Sequence, residues 1–246
     1  MRRDLVCLTR LLVDSLPKKI RNSYLLFKLA KQIFDLPEIL YEFRDNFNAG
    51  LYDDLSIFYS KNSPYQLKRT SRKTDINSKH IKQILSLVRE NKPKSILDVG
   101  CGTGYLTKVL EKENYNKCIS AIDYNIPIFL KNNNQFKCFE GDILEKLKSF
   151  NDNSFELVIC THVLEHIKSP ELVLRDLRRI SNNNLLIICP LEKNFKWGMN
   201  YHINFYKDQL SFAKLVYDSG FLKEKVLRDS QYINFLGDLL YIEHYS

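Results

Sequence analysis

The chain has 246 residues, with 37 Lys and Arg against 29 Asp and Glu for a net charge of +8. It is long enough for one sizeable α/β core with an appendage, whereas no apolar stretch approaches the roughly 20 residues that would span a bilayer and no Cys-x-x-Cys pair offers a structural zinc or dithiol site. The basic excess sits in the first third, where residues 1–80 hold 15 Lys and Arg against 9 Asp and Glu; it suits an anionic substrate, a membrane surface or a solvated helical face.

In chain order, Arg2 and Arg3 precede an apolar run from Leu5 to Leu16 that imitates a signal peptide, but Arg10 and Asp14 interrupt it and no small-residue cleavage site follows. A cytoplasmic, reduced protein is therefore expected. Residues 5–47 carry apolar positions at helical spacing, broken at Pro17 and Pro37, and predict two or three short helices. From Asn46 to Asn77 the chain turns polar and aromatic and reads as a linker or a lid, so residues 1–77 form a helical extension ahead of a domain over 78–246. Ser78 to Glu90 returns to helix on the stripe Ile81, Ile84, Leu85 and Val88, closed by Lys92-Pro93.

The segment Ser-Ile-Leu-Asp-Val-Gly-Cys-Gly-Thr-Gly over 95–104 is the most informative in the chain. Ile96, Leu97 and Val99 read as a buried strand, and Gly100, Gly102 and Gly104 allow a tight turn that brings bare backbone against a nucleotide-like ligand. A helix from Tyr105 would then aim its N-terminal N–H groups at that ligand. Further strands are expected at Ile119–Asp123, Phe136–Phe139, Phe155–Cys160, Leu185–Cys189, Phe221–Leu227 and Leu239–His244, with helices between. Ser169-Pro170-Glu171 supplies an N-cap, a first-turn proline and an early acid, and Asp208–Ser219 a last helix. Strands alternating with helices argue for a mostly parallel sheet covered on both faces. Cysteines at 118, 138, 160 and 189 fall in different strands and read as buried small hydrophobes, not bridges.

Asp123 ends the second strand about 20 residues beyond the glycine turn, where a carboxylate accepts hydrogen bonds from ribose hydroxyls. Gly141-Asp142-Ile143 ends the third, with Asp142 placed for an adenine amine and Ile143 for the ring. Each acid alone reads equally well as a cap or a turn; three in this order after these strands point to a nucleoside site.

Four blocks then resemble those of the type 11, ubiquinone-biosynthesis-like, class I S-adenosylmethionine-dependent methyltransferases: Ile96–Gly104, Ala121–Tyr124, Gly141–Ile143 and Phe155–Ile167. The resemblance implies a Rossmann-like α/β fold whose seven-stranded sheet has its last strand inserted antiparallel. It also implies S-adenosylmethionine as cofactor, held by Asp98, Gly100, Gly102, Gly104, Asp123, Tyr124, Asp142, Ile143 and Thr161. Asn182-Asn183-Asn184 departs from the family, many of whose members carry a glycine pair there. His162-Val-Leu-Glu-His166 also matches the inverted zinc-protease pattern, but metal is set aside because the family carries a similar Leu-Glu-His without one; Glu165 and His166 are assigned to packing and capping. His162, nearest the end of the fourth strand, and His202, in a block similar to the family's His-x-x-Phe-Tyr, are the catalytic candidates.

The acceptor is open. No Asn/Asp-Pro-Pro-Tyr-like block occupies Cys160–Val163, which disfavours N-methylation and favours O-methylation of a small molecule such as a sugar, a glycan precursor or a lipid-linked intermediate, with peripheral membrane contact through the basic N-terminal helices. The alternatives are a non-catalytic cofactor- or partner-binding module and a nucleic-acid methyltransferase, the latter from the basic and aromatic residues at 59–73. The G-x-G-x-G spacing argues against a nicotinamide dehydrogenase.

Overall fold

The computed structural model describes residues 8, 11–34, 38–51, 74–113, 118–194, 196–197, 200–221 and 225–246. After a helical stretch over 11–15 come α1 (Lys18–Arg21), α2 (Tyr24–Phe34), α3 (Glu38–Asn48) and α4 (Ser78–Asn91). The alternating part follows: β1 (Ser95–Val99), α5 (Tyr105–Lys112), β2 (Cys118–Asp123), α6 (Ile128–Lys131), β3 (Phe136–Glu140), α7 (Ile143–Lys148), β4 (Phe155–Thr161), α8 (Pro170–Ile180), β5 (Ser181–Pro190), α9 (Gln209–Asp218), β6 (Leu227–Phe235) and β7 (Asp238–Tyr245).

The seven strands form one sheet in the order β3-β2-β1-β4-β5-β7-β6. β1 to β5 pair in parallel, and β7 lies antiparallel between β5 and β6. Alternate residues of each strand enter cores on opposite faces. Leu97, Val158, Ile187 and Tyr241 pack with α7, α8 and α9. Ile96, Ile159, Ile188 and Ile242 pack with α4, α5 and α6. This is the doubly covered, mostly parallel α/β sheet the sequence predicts, down to the inserted antiparallel strand.

Three local expectations need correction. The sixth strand is Leu227–Phe235, not Phe221–Leu227. As an edge strand it exposes Arg228, Asp229, Ser230 and Gln231, a polar run that discourages pairing with other chains and lacks an apolar signature. Its register is set by a two-residue hairpin in which Leu236 and Gly237 both take left-handed φ, 49° and 74°. The fifth strand begins directly after α8, so Asn182–Asn184 belong to the strand and form no turn. Ser169 stands at the N-cap of α8, but its side chain makes no capping hydrogen bond; only Pro170 and Glu171 serve as expected.

The N-terminal helices dock on the segment after β5. Phe43 is fully buried against Ile39, Tyr201 and Ile203, the Tyr41 and Trp197 rings stack with centroids 5.3 Å apart, and Arg44 Nη1 donates to the His202 carbonyl at 2.7 Å. Asn77, the N-cap of α4, is buried and donates to Asp238 Oδ2 at 3.1 Å. The described cysteines are unbridged, and no described helix is long and apolar enough to cross a membrane.

The far end of the sheet is fastened by a buried ion pair. Arg178 on α8 reaches Glu243 on β7 through Nη2 at 2.6 Å and Nε at 3.0 Å, and both side chains are essentially inaccessible. Glu243 also accepts from the Tyr241 and Tyr245 hydroxyls, and Arg178 Nη1 donates to Ser219 Oγ and the Val216 carbonyl at the end of α9. Removing one partner strands a buried charge. Arg178→Ala is therefore expected to lower unfolding free energy by about 3–5 kcal/mol, read by urea denaturation; a loss below about 1 kcal/mol would show that the pair does not fasten the sheet.

Candidate functional site

The chain leaves β1 through the glycine turn. Gly100 and Cys101 both donate their N–H to the Ile122 carbonyl, at 2.8 and 3.0 Å, which pins the turn over the end of β2. Gly100 has φ 70°, and a Cβ there would stand 2.3 Å from Val163 Cγ2, so the bare backbone is required both by conformation and by the chain leaving β4. Gly104, at φ 69°, opens α5, where a Cβ would meet Phe129 and Leu130 at 2.8 Å. The resulting pocket is lined by Asp98, Gly100 and Gly102 on one side and Thr161 and His162 on the other. Thr74, Asp75 and Ile76, just ahead of α4, also line it; they fall in the stretch that reads as linker or lid, where nothing in the sequence marks them.

Three carboxylates have distinct surroundings. Asp98 is buried at the end of β1. Its Oδ2 accepts from Thr107 Oγ1 at 2.6 Å, while Oδ1 has no hydrogen-bond partner among the described residues. Asp123, at the tip of β2, accepts from the Gly102 N–H through Oδ2 at 2.8 Å and from the Asn125 N–H through Oδ1 at 3.1 Å, and burial holds its carboxyl above the usual range. Asp142 is engaged twice: Oδ1 caps α7 by accepting from the Glu145 N–H at 2.9 Å, and Oδ2 accepts from the Tyr124 hydroxyl. Ile143 is buried in the core with Leu147. The structure thus gathers Asp98, Gly100, Gly102, Thr161 and His162 around one pocket, with Asp123 bonded to its glycine wall. Gly104, Tyr124, Asp142 and Ile143 do not line it.

Beyond β4 the chain does not continue as a helix. His162 takes a left-handed φ of 54°, and residues 164–166 form a single 3₁₀ turn, so His162 and His166 do not share a helical face as the zinc-protease spacing would require. The segment after β5 is strapped onto this turn instead. Ile203 and Asn204 both donate their N–H to the Glu165 carbonyl, at 2.8 and 3.0 Å, and Asn204 Nδ2 donates to the Leu164 carbonyl at 2.9 Å. His202 is thereby brought beside His166, with ring centroids 4.7 Å apart.

His162 Nδ1 donates to Glu165 Oε1 at 3.2 Å; its Nε2 and Glu165 Oε2 are buried with no hydrogen-bond partner among the described residues. His202 Nδ1 donates to Glu192 Oε1 at 2.5 Å, and His166 Nδ1 donates to the Tyr201 carbonyl at 3.2 Å. Burial pushes the Glu165 carboxyl up, but the His162 hydrogen bond and the nearby imidazoles outweigh it and hold the group at about 2. Burial, with His202 adding to it, lowers His166 to about 4. At neutral pH the cluster presents a carboxylate and a neutral imidazole. The sequence had flagged His162 and His202 but not Glu192, which sits in an unremarkable Leu-Glu-Lys.

Residues 72–224 match a family model described as a methyltransferase domain. Among curated relatives, a ubiquinone biosynthesis O-methyltransferase of Rickettsia bellii is 31% identical over 122 residues, 47% of this chain and 50% of the relative. A malonyl-[acyl-carrier protein] O-methyltransferase of Neorickettsia risticii is 25% identical over 142 residues, 54% and 57% of the two chains. The chain spans about half the length of the curated relatives it matches. A Burkholderia thailandensis 1,6-didemethyltoxoflavin-N1-methyltransferase, solved with bound 1,6-didemethyltoxoflavin and S-adenosylhomocysteine, superposes with a TM-score of 0.54 at 12% identity, covering 78% of this chain and 87% of that one. That likeness is one of fold.

Asp98 gives the site a pH signature. Burial, opposed by the Thr107 hydrogen bond, raises its carboxyl from 3.8 to about 6. The folded state binds this proton more tightly than the unfolded chain, so stability falls as pH rises from 3.8 to about 6, by about 3 kcal/mol for this group. Asp98→Asn should abolish that part of the decline in denaturant unfolding followed across the window. An unchanged slope would show that Asp98 is not the group responsible.

Proposed function

Because the chain belongs to the class I S-adenosylmethionine-dependent methyltransferase family, we propose that it transfers a methyl group from S-adenosylmethionine to a hydroxyl oxygen of a small molecule. The observation that carries this reading is a pocket that joins a bare glycine wall to two residues with a buried polar atom lacking a hydrogen-bond partner among the described residues, Asp98 through Oδ1 and His162 through Nε2. The residues fit the cofactor: Asp98 offers a free carboxylate oxygen to an amine, Gly100 and Gly102 give the close approach that side chains would deny, and Asp123 retains acceptor capacity for ribose hydroxyls. Tyr124, Asp142 and Thr161 complete the proposed nucleoside side, Asp142 acting through the hydroxyl of Tyr124 and the cap of α7.

Bound S-adenosylmethionine supplies a methyl already activated on a sulfonium, so the protein's task is alignment and exclusion of water. A hydroxyl acceptor must also lose its proton. His162, which lines the pocket, is the candidate to take it: giving Nδ1–H to Glu165 leaves a lone pair on Nε2. The O-methyltransferase names of the curated relatives support an oxygen acceptor. His202, on the far side of Glu165, is a second candidate for holding the acceptor.

In this reading residues 1–77 form the acceptor-side cover, supported by the packing of Phe43 and Arg44 on Tyr201 and His202. The protein is proposed to be cytoplasmic, and peripheral membrane contact would draw on Leu11, Leu12, Ile20, Leu25 and Leu29, which are exposed on the same N-terminal segment as the exposed Lys18, Lys19 and Lys28. The basic stretch at 59–73, on which a nucleic-acid reading would rest, lies outside the described residues.

Titration calorimetry should show S-adenosylmethionine binding and no NAD binding, with Asp123→Asn weakening the former about 10–100-fold, the worth of a hydrogen bond to a charged group. Demethylated-cofactor release in the presence of hydroxylated acceptors should fall about 10²–10⁴-fold in His162→Ala with cofactor affinity intact. Binding without turnover on any acceptor class would favour a non-catalytic module, and undiminished turnover in His162→Ala would remove that residue from the chemistry. Arg44→Ala should raise KM for the acceptor and leave cofactor affinity unchanged; the reverse pattern would end the cover assignment.

A further inference from the structure

Behind His162, Glu165, His166 and His202 each place one ligand atom such that all three lie within 4.8 Å of one another. Core packing does not account for this cluster. Glu165 is a fully buried carboxylate with Oε2 lacking a hydrogen-bond partner among the described residues, and nearby groups are imidazoles, not fixed cations.

Both histidines are oriented in the manner of metal ligands. An Nδ1 that faces a carbonyl must carry the proton, because a carbonyl only accepts, so the neutral His166 ring has its lone pair on Nε2. His202 is set the same way by Glu192, a buried carboxylate that also accepts from Asn200 Nδ2 at 3.1 Å. A carboxylate or carbonyl that accepts from the second nitrogen of a ligating imidazole is the usual second layer of a metal centre. The first layer here would be two imidazole nitrogens and one carboxylate oxygen, with coordination positions left open, a donor set that suits zinc, manganese or iron and suits magnesium poorly. Donors around a tetrahedral zinc stand roughly 3.4 Å apart, so an ion must draw these three together by about 1 Å, which the partly exposed His202 is placed to allow.

We propose that Glu165, His166 and His202 form a binding site for one divalent first-row transition ion, one residue removed from the pocket that His162 lines. The consequence for chemistry rests on the methyltransferase reading: an ion there would bind the acceptor's hydroxyl oxygen and lower its pKa, so that His162 receives the proton and the oxygen is fixed for attack. The acceptor class is thereby narrowed to molecules whose methylated hydroxyl, or one adjacent to it, can coordinate a metal.

The test uses the full chain stripped by a chelator and titrated with Co²⁺. The expected result is one equivalent bound, with visible d–d bands that lack thiolate charge transfer and that Zn²⁺ removes but Mg²⁺ does not. Glu165→Gln and His202→Ala should lose this signal while still unfolding cooperatively, and Glu192→Gln should weaken binding about 10–100-fold. If Glu165→Gln fails to fold, His202→Ala, at a partly exposed position, decides the matter. The proposal is overturned if the folded wild type takes up neither Co²⁺ nor Zn²⁺, if thiolate bands place the ion on cysteine, or if His202→Ala binds as tightly as wild type. Binding of S-adenosylmethionine, measured in parallel, keeps the two readings apart: loss of the metal result with cofactor binding intact fails only this proposal, and the converse fails only the methyltransferase reading.

Discussion

The close approach of two chain segments, where Gly100 meets Val163, governs the rest of the site. With a Cβ at residue 100 only 2.3 Å from Val163 Cγ2, the segments leaving β1 and β4 could not lie against each other. Because they do, Asp98 and the glycine wall face Thr161 and His162 across a single pocket. Shape and chemistry are settled by the same contact.

Topology explains why this contact falls where it does. From β1 the chain winds outward through β2 to β3, then returns to place β4 on the other side of β1. The crevice opens at this reversal, above the carboxyl ends of the strands, where open α/β sheets hold their ligands. Asp123 reaches it from β2 by gripping the Gly102 N–H. Asp142, one strand further out, acts on its surroundings through Tyr124 and the start of α7.

The histidine cluster beyond β4 is assembled differently, from segments distant in sequence. The single 3₁₀ turn after β4 offers the Glu165 carbonyl, and two successive N–H groups of the 201–204 segment bind it. That strap sets His202 beside His166, and α3 covers it through Phe43 and Arg44. The α3 helix is thus tied directly to His202 through that residue's backbone carbonyl.

The sequence by itself determined the parallel core and the glycine turn that forms one wall of the pocket. Apolar runs such as Ile96–Val99 and Phe155–Cys160 carry their strand identity locally, and the glycines at 100, 102 and 104 are demanded by backbone conformation, a property of each residue alone. The polar edge strand over 227–235 escaped such reading because only one of its faces contributes to the core, and the Asn182–Asn184 run was absorbed into β5 across a register shift, with Asn184 pairing to Leu157 and His244. Only the tertiary structure decided that His162, Glu165, His166 and His202 form one cluster and that Glu192 and Thr74–Ile76 belong to the site. Those placements arise from hydrogen bonds between residues dozens of positions apart, and local spacing holds no record of them.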